Sequence, residues 1–164
     1  VLVLHPFIVL DQTLCLFAAA LLGGQRLQFG FPRAVLSLLL GQAAGFAWLV
    51  LVPSIPYEIY LPVALAAVIG LIVTIAPGLN HYLPAAVMVA ADFAVGLNTY
   101  PEDGKLFVLA MTLGGLTLGS AILFSLVGWP VSRLTKEWQR VSVRIAGSWL
   151  TASVFLMLAL AFRP

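Results

Sequence analysis

The chain is expected to be an all-α integral membrane protein, a bundle of six transmembrane helices with both termini on the outer side. Three observations predict this. Of its 164 residues 62% are hydrophobic and 9% are charged, whereas a water-soluble domain carries about 25% charged residues. Mean hydropathy is +1.10. The apolar residues also gather into six runs, each close to the about 20 helical residues that cross a ~30 Å hydrocarbon core. Eight basic and six acidic residues are too few to coat a soluble domain. Soluble enzymes, nucleic-acid binders, disulfide-stapled modules and disordered tails are excluded by that count. Alternating strands of the porin type are absent, which sets aside a β-barrel.

The six runs form a single transmembrane domain over residues 1–164, and each is bounded by its own punctuation. The first covers residues 1–22 and is expected to end at Gly23-Gly24. The second covers 34–52 and stops at Pro53, and the third covers 59–76 and stops at Pro77-Gly78. The fourth, 82–97, is short for a span and closes at Asn98, so it needs a thinned bilayer or a place well inside the bundle. The fifth, 105–128, is expected to stop before Trp129-Pro130, and the sixth covers 141–162. Within them, Gly41-x-x-x-Gly45 and Gly115-x-x-x-Gly119 are small-residue pairs that let helix backbones approach closely. Trp129, Trp138, Tyr57, Tyr60, Tyr82 and Tyr100 fall near helix ends, as interfacial aromatics do.

Loop charges give the orientation. Arg26 and Arg33 follow the first helix, and Arg133, Lys136 and Arg140 follow the fifth, with Arg144 a turn inside the sixth. Glu58 follows the second helix, and Glu102, Asp103 and Lys105 follow the fourth. The basic loops belong in the cytoplasm, which leaves both termini outside a bacterial inner membrane. An opening Val in place of Met fits removal of a secretory signal peptide, and a further segment before Val1 is the other reading. The formal charge of +2 is too scattered for a nucleic-acid stripe. Cys15, the single cysteine, has no partner for a disulfide or a CxxC site and reads as a buried inert thiol.

Function must come from the few polar groups that a bilayer makes expensive. Asp11 in the first helix and Asp92 in the fourth are the two carboxylates inside spans, each about 15 Å deep by residue count. If those helices are neighbours, a paired-carboxylate or carboxylate–metal site is possible; the plain alternative is an Asp hydrogen-bonded to the next helix. His5 and Gln12 share a helix face but lie about 10.5 Å apart along it, so only a broken first helix, such as Pro6 allows, brings both to one metal. His81 reads as a solvated loop residue, and Gln42 and Arg144 as interhelical or snorkelling groups. No catalytic triad, HExxH, P-loop or dinucleotide fingerprint is present, so enzyme chemistry has no support.

The segment His5-Pro6-Phe7-Ile8-Val9-Leu10-Asp11-Gln12 resembles the HPxxGxDH opening of the HupE/UreJ family of small membrane proteins. The likeness continues through Leu22-Gly23-Gly24-Gln25-Arg26, Leu40-Gly41-Gln42-Ala43-Ala44-Gly45, Pro62-Val63 and Arg144-Ile145-Ala146-Gly147-Ser148-Trp149. The order and spacing of these short motifs carry it over nearly the whole chain. The resemblance implies six helices after a cleaved signal and a nickel or cobalt permease, a divalent cation being the cargo. His5 and Asp11 match the family's implied metal ligands, while Gln12 stands at its second histidine and Val9 at its glycine. In place of its histidine-rich run stands Phe93-Ala94-Val95-Gly96-Leu97-Asn98, beside which Asp92 offers an oxygen. The metal set implied is therefore His5, Asp11 and Asp92. Two functions follow: cation transport or handling through a reduced site, or a non-transporting accessory subunit packed against a larger membrane complex. The lipid bilayer is a partner in both.

Overall fold

The computed structural model describes residues 10–26, 31–52, 60–75, 82–98 and 106–161. The described chain is helical, in six helices: α1 Leu10–Arg26, α2 Phe31–Leu51, α3 Tyr60–Ile75, α4 Tyr82–Leu97, α5 Leu106–Ser132 and α6 Glu137–Ala161. Two helical stretches, Ala110–Ser132 and Glu137–Leu160, are long and apolar enough to cross a membrane. Val35–Leu49, Tyr60–Ile75 and Ala85–Leu97 are apolar but shorter.

Helix α1 is the axis of the molecule. It packs against α3, α4, α5 and α6, and Cys15, Leu16, Ala18, Ala19, Ala20, Leu21 and Leu22 are all buried. Its middle stretch, Leu14–Leu22, is apolar all round, and such a stretch is stable only when wrapped in this way. The other principal contacts are α2 with α4 and α3 with α6.

Helix directions follow from the contacts. Gly128 of α5 faces the Ala20 carbonyl and Gly24 of α1 faces Val131, so α1 and α5 run parallel. Gly41 meets Asp92 and Gly45 meets Phe93 and Leu97, so α2 and α4 also run parallel. Gln12 reaches Asn98 and Cys15 reaches Ala91, which makes α4 antiparallel to α1. One end of the bundle thus holds Arg26 and Ser132, and the other holds Val52 and Asn98.

Two helices outrun their sequence punctuation. Helix α1 continues through Gly23-Gly24 to Arg26. A Cβ on Gly23 would stand 2.7 Å from the Phe124 ring, and one on Gly24 would stand 2.6 Å from Val131 Cβ. This glycine pair admits α5 to close range rather than ending the helix. Helix α5 passes through Pro130 to Ser132. Proline deletes one hydrogen bond near a helix end, and Arg133 and Leu134 close the turn by donating to the Pro130 and Val131 carbonyls at 3.0 and 3.2 Å. Helix α6 begins at Glu137, a turn earlier than its apolar run.

Large apolar side chains lie on the outside of the bundle as well as in its core. Leu40, Leu51, Phe107, Leu126, Trp149 and Leu156 are among the exposed large apolar residues, while Gln12, Gln42, Asp92 and Ser120 are buried.

Candidate functional site

Several polar side chains step along α4 in a file that turns from its α1 side at Asn98 to its α2 side at Asp92. At its outer end, by the orientation the loop charges give, Asn98 Nδ2 donates to Asp11 Oδ2 at 2.6 Å. Gln12 Nε2 donates to the Asn98 backbone carbonyl at 3.1 Å. Asn98 thus receives α1 on both its side chain and its main chain, capping the carbonyl end of α4 that has no intrahelical donor.

Two residues further in, Gly96 faces the Gln42 carbonyl. Gln42 Nε2 donates to Ser120 Oγ at 2.7 Å, so α2 and α5 are joined across a fully buried bond. The next turn brings Asp92. A Cβ on Gly41 would stand 2.8 Å from the Asp92 Cβ, and this absent side chain is what lets α2 lie directly over Asp92. Cys15 of α1 completes the surroundings, its Sγ lying 3.9 Å from the Ala91 carbonyl. Beyond Asp92 the file ends: Met88, Phe124 and Leu22 are apolar and buried.

Asp92 differs from every other carboxylate in the described chain. It is 1% exposed, and neither carboxylate oxygen has a hydrogen-bond partner. Gln12 Oε1 and Gln42 Oε1 are likewise buried and unpartnered, and every buried unpartnered side-chain atom among the described residues is an oxygen. These spare acceptors are costly to bury, because a buried charge without a partner costs several kcal/mol or more.

Of the residues that the sequence singles out, His5, His81, Tyr57, Tyr100 and the loop charges Glu58, Glu102, Asp103 and Lys105 lie outside the described residues. Asp11 and Asp92 sit on helices that pack together. Asp11 lies level with Asn98, and Asp92 six residues earlier, about 9 Å deeper along the axis. The two carboxylates therefore stand at successive levels, Asp11 on the α1 side of α4 and Asp92 under α2. Gln42 makes an interhelical bond, and Arg144 Nε donates to the Thr74 carbonyl at 2.9 Å. Among the described residues no group of three or more His, Cys, Asp or Glu side chains could hold a metal ion. Ser120 and Thr74 carry no sequence signal of their own. A serine or threonine in an apolar helix usually bonds its own backbone, as Thr74 also does to the Gly70 carbonyl at 2.7 Å.

The described chain is an α-helical bundle with exposed large apolar side chains and an apolar core that holds a few buried polar groups, Gln12, Gln42, Asp92 and Ser120 among them. Comparison with family models, curated proteins and solved structures gives no match to the chain.

Proposed function

We propose that the chain is a six-span membrane protein of HupE/UreJ type, with both termini outside, that takes a cation from the outer face to a seat at Asp92. The observation that carries this reading is a fully buried carboxylate with both oxygens unpartnered. Intramembrane carboxylates default to ion or proton pathways, and this one lies about 9 Å along the axis from the Asp11–Asn98 pair. Exposed Leu, Phe and Trp side chains around the bundle support lipid as the surrounding solvent, since lipid needs no polar coat. The donors along the file are oxygens, which suit a hard cation better than nickel, whose preference is for imidazole.

The test is uptake by proteoliposomes holding the purified chain, with nickel, cobalt and sodium offered separately. Uptake of one ion that is lost in Asp92→Asn supports the reading. Undiminished uptake in that variant sinks it.

A second reading, an accessory subunit of a larger membrane complex, draws support from Trp149. It is 75% exposed halfway along α6, away from the helix ends where interfacial tryptophans sit. Stoichiometric copurification of a partner in mild detergent, lost in Trp149→Ala, would favour it.

A further inference from the structure

The end of the bundle opposite the polar file holds a separate feature. The ends of α1 and α5 and the first two turns of α6 enclose a cavity of about 400 Å³, lined by Gly24, Gln25, Ser132, Arg140, Val143 and Arg144 among others. That is within the size range of small-ligand sites, about 300–1,000 Å³. Arg140 and Arg144 are four residues apart on α6 and so lie on one face of it.

Arg144 is held in place. Its Nε donates to the Thr74 carbonyl, in the last turn of α3, where carbonyls lack helical partners and favour a cation. This bond fixes one edge of the guanidinium, and a guanidinium is the side chain best shaped for phosphate. Gln25, on α1, supplies the complementary chemistry. Its Oε1 is buried and has no hydrogen-bond partner, so the cavity also calls for a hydroxyl or ammonium donor. Gly24 makes this arrangement possible by letting α1 lie against Val131 and the Gly128 carbonyl, at 2.6 and 2.7 Å from a Cβ built there.

We propose that this cavity binds the phosphate of an anionic headgroup between Arg140 and Arg144, with a headgroup hydroxyl donating to Gln25 Oε1. Phosphatidylglycerol has both groups. The inference rests on the bundle lying in a membrane and is independent of cation movement. General attraction of basic loops to anionic lipid needs no cavity; here two arginines and one acceptor define a seat with a chemical preference.

The experiment is native mass spectrometry of the delipidated full chain in mild detergent, titrated with phosphatidylglycerol, phosphatidic acid or phosphatidylcholine. Phosphatidylglycerol should bind best, and the double variant R140Q/R144Q should bind it about tenfold more weakly. Arg133→Gln, whose guanidinium lies over the Trp129 ring at 4.4 Å from its centroid and outside the cavity, should bind as the parent does. Gln25→Leu should weaken phosphatidylglycerol and leave phosphatidic acid unchanged, a split that a folding defect would not produce. Competition by inorganic phosphate would assign the seat to a soluble phosphate compound, and its absence assigns it to lipid. Equal binding of phosphatidylcholine, or equal loss in Arg133→Gln, would overturn the proposal.

Discussion

At the scale of single residues, Asp11 and Asp92 differ in what holds them. Asp11 accepts a 2.6 Å bond from Asn98, so Asn98→Ala leaves a carboxylate oxygen without its donor and is expected to cost about 1–3 kcal/mol. Asp92 has no donor to lose. Replacing it with Asn keeps its volume and removes a group that the apo interior does not satisfy, so Asp92→Asn is expected to raise the melting temperature in cation-free detergent. Thermal unfolding of the two variants beside the parent decides it; a lowered melting temperature in Asp92→Asn would show that the carboxylate has a structural partner. The sequence makes Asp92 legible because a charge in an apolar run stands out. It cannot show that Asn98 serves Asp11 and Gln12, because those partners are 87 and 86 residues away and any of several polar groups could have met them.

At the scale of elements, glycines decide how closely helices pair, and their positions predict opposite responses. Gly45 faces the Phe93 carbonyl across the α2–α4 contact, and Gly96 faces the Gln42 carbonyl from the other side. These neighbours are backbone and cannot swing away, so Gly45→Ala must separate the two helices and strain the Gln42–Ser120 bond. Gly114 of α5 has nothing within 4 Å of where its Cβ would be. Gly114→Ala should be neutral or stabilising by up to about 1 kcal/mol, the helix propensity difference. Detergent melting curves of the pair check this, and equal losses in both would remove close packing as the cause. The same contrast explains which helix ends the sequence misjudges. Gly23-Gly24 has the composition of a helix terminator, yet Phe124 and Val131 turn it into a contact surface. A glycine's role depends on the facing helix, which lies about a hundred residues further along the chain and leaves no local mark.

At the scale of the molecule, the helix directions and the charges agree on an axis. Helices α2 and α4 run parallel, so Val52 and Asn98 share one end. Helices α1 and α5 run parallel in the opposite sense, so Arg26 and Ser132 share the other, with Arg133, Lys136, Arg140 and Arg144 following close behind. On the proposed six-span reading these positive residues share one end because alternate helices cross in alternate directions, and the positive-inside rule assigns that end to the cytoplasm. Cys15 offers a clean way to test it. It is the single cysteine and is 0% exposed, so a maleimide added from water should leave the parent chain unlabelled. Thr135, exposed between α5 and α6, and Glu102, between α4 and α5, are the two positions to convert. In sealed, right-side-out vesicles a membrane-impermeant maleimide should label Glu102→Cys at once. Thr135→Cys should react only after the vesicles are opened. The reverse pattern would invert the bundle and put the Asp11–Asn98 end on the cytoplasmic side, against the proposed uptake from the outer face. Labelling of both positions in sealed vesicles would break the alternation itself, and with it the reading of six spans.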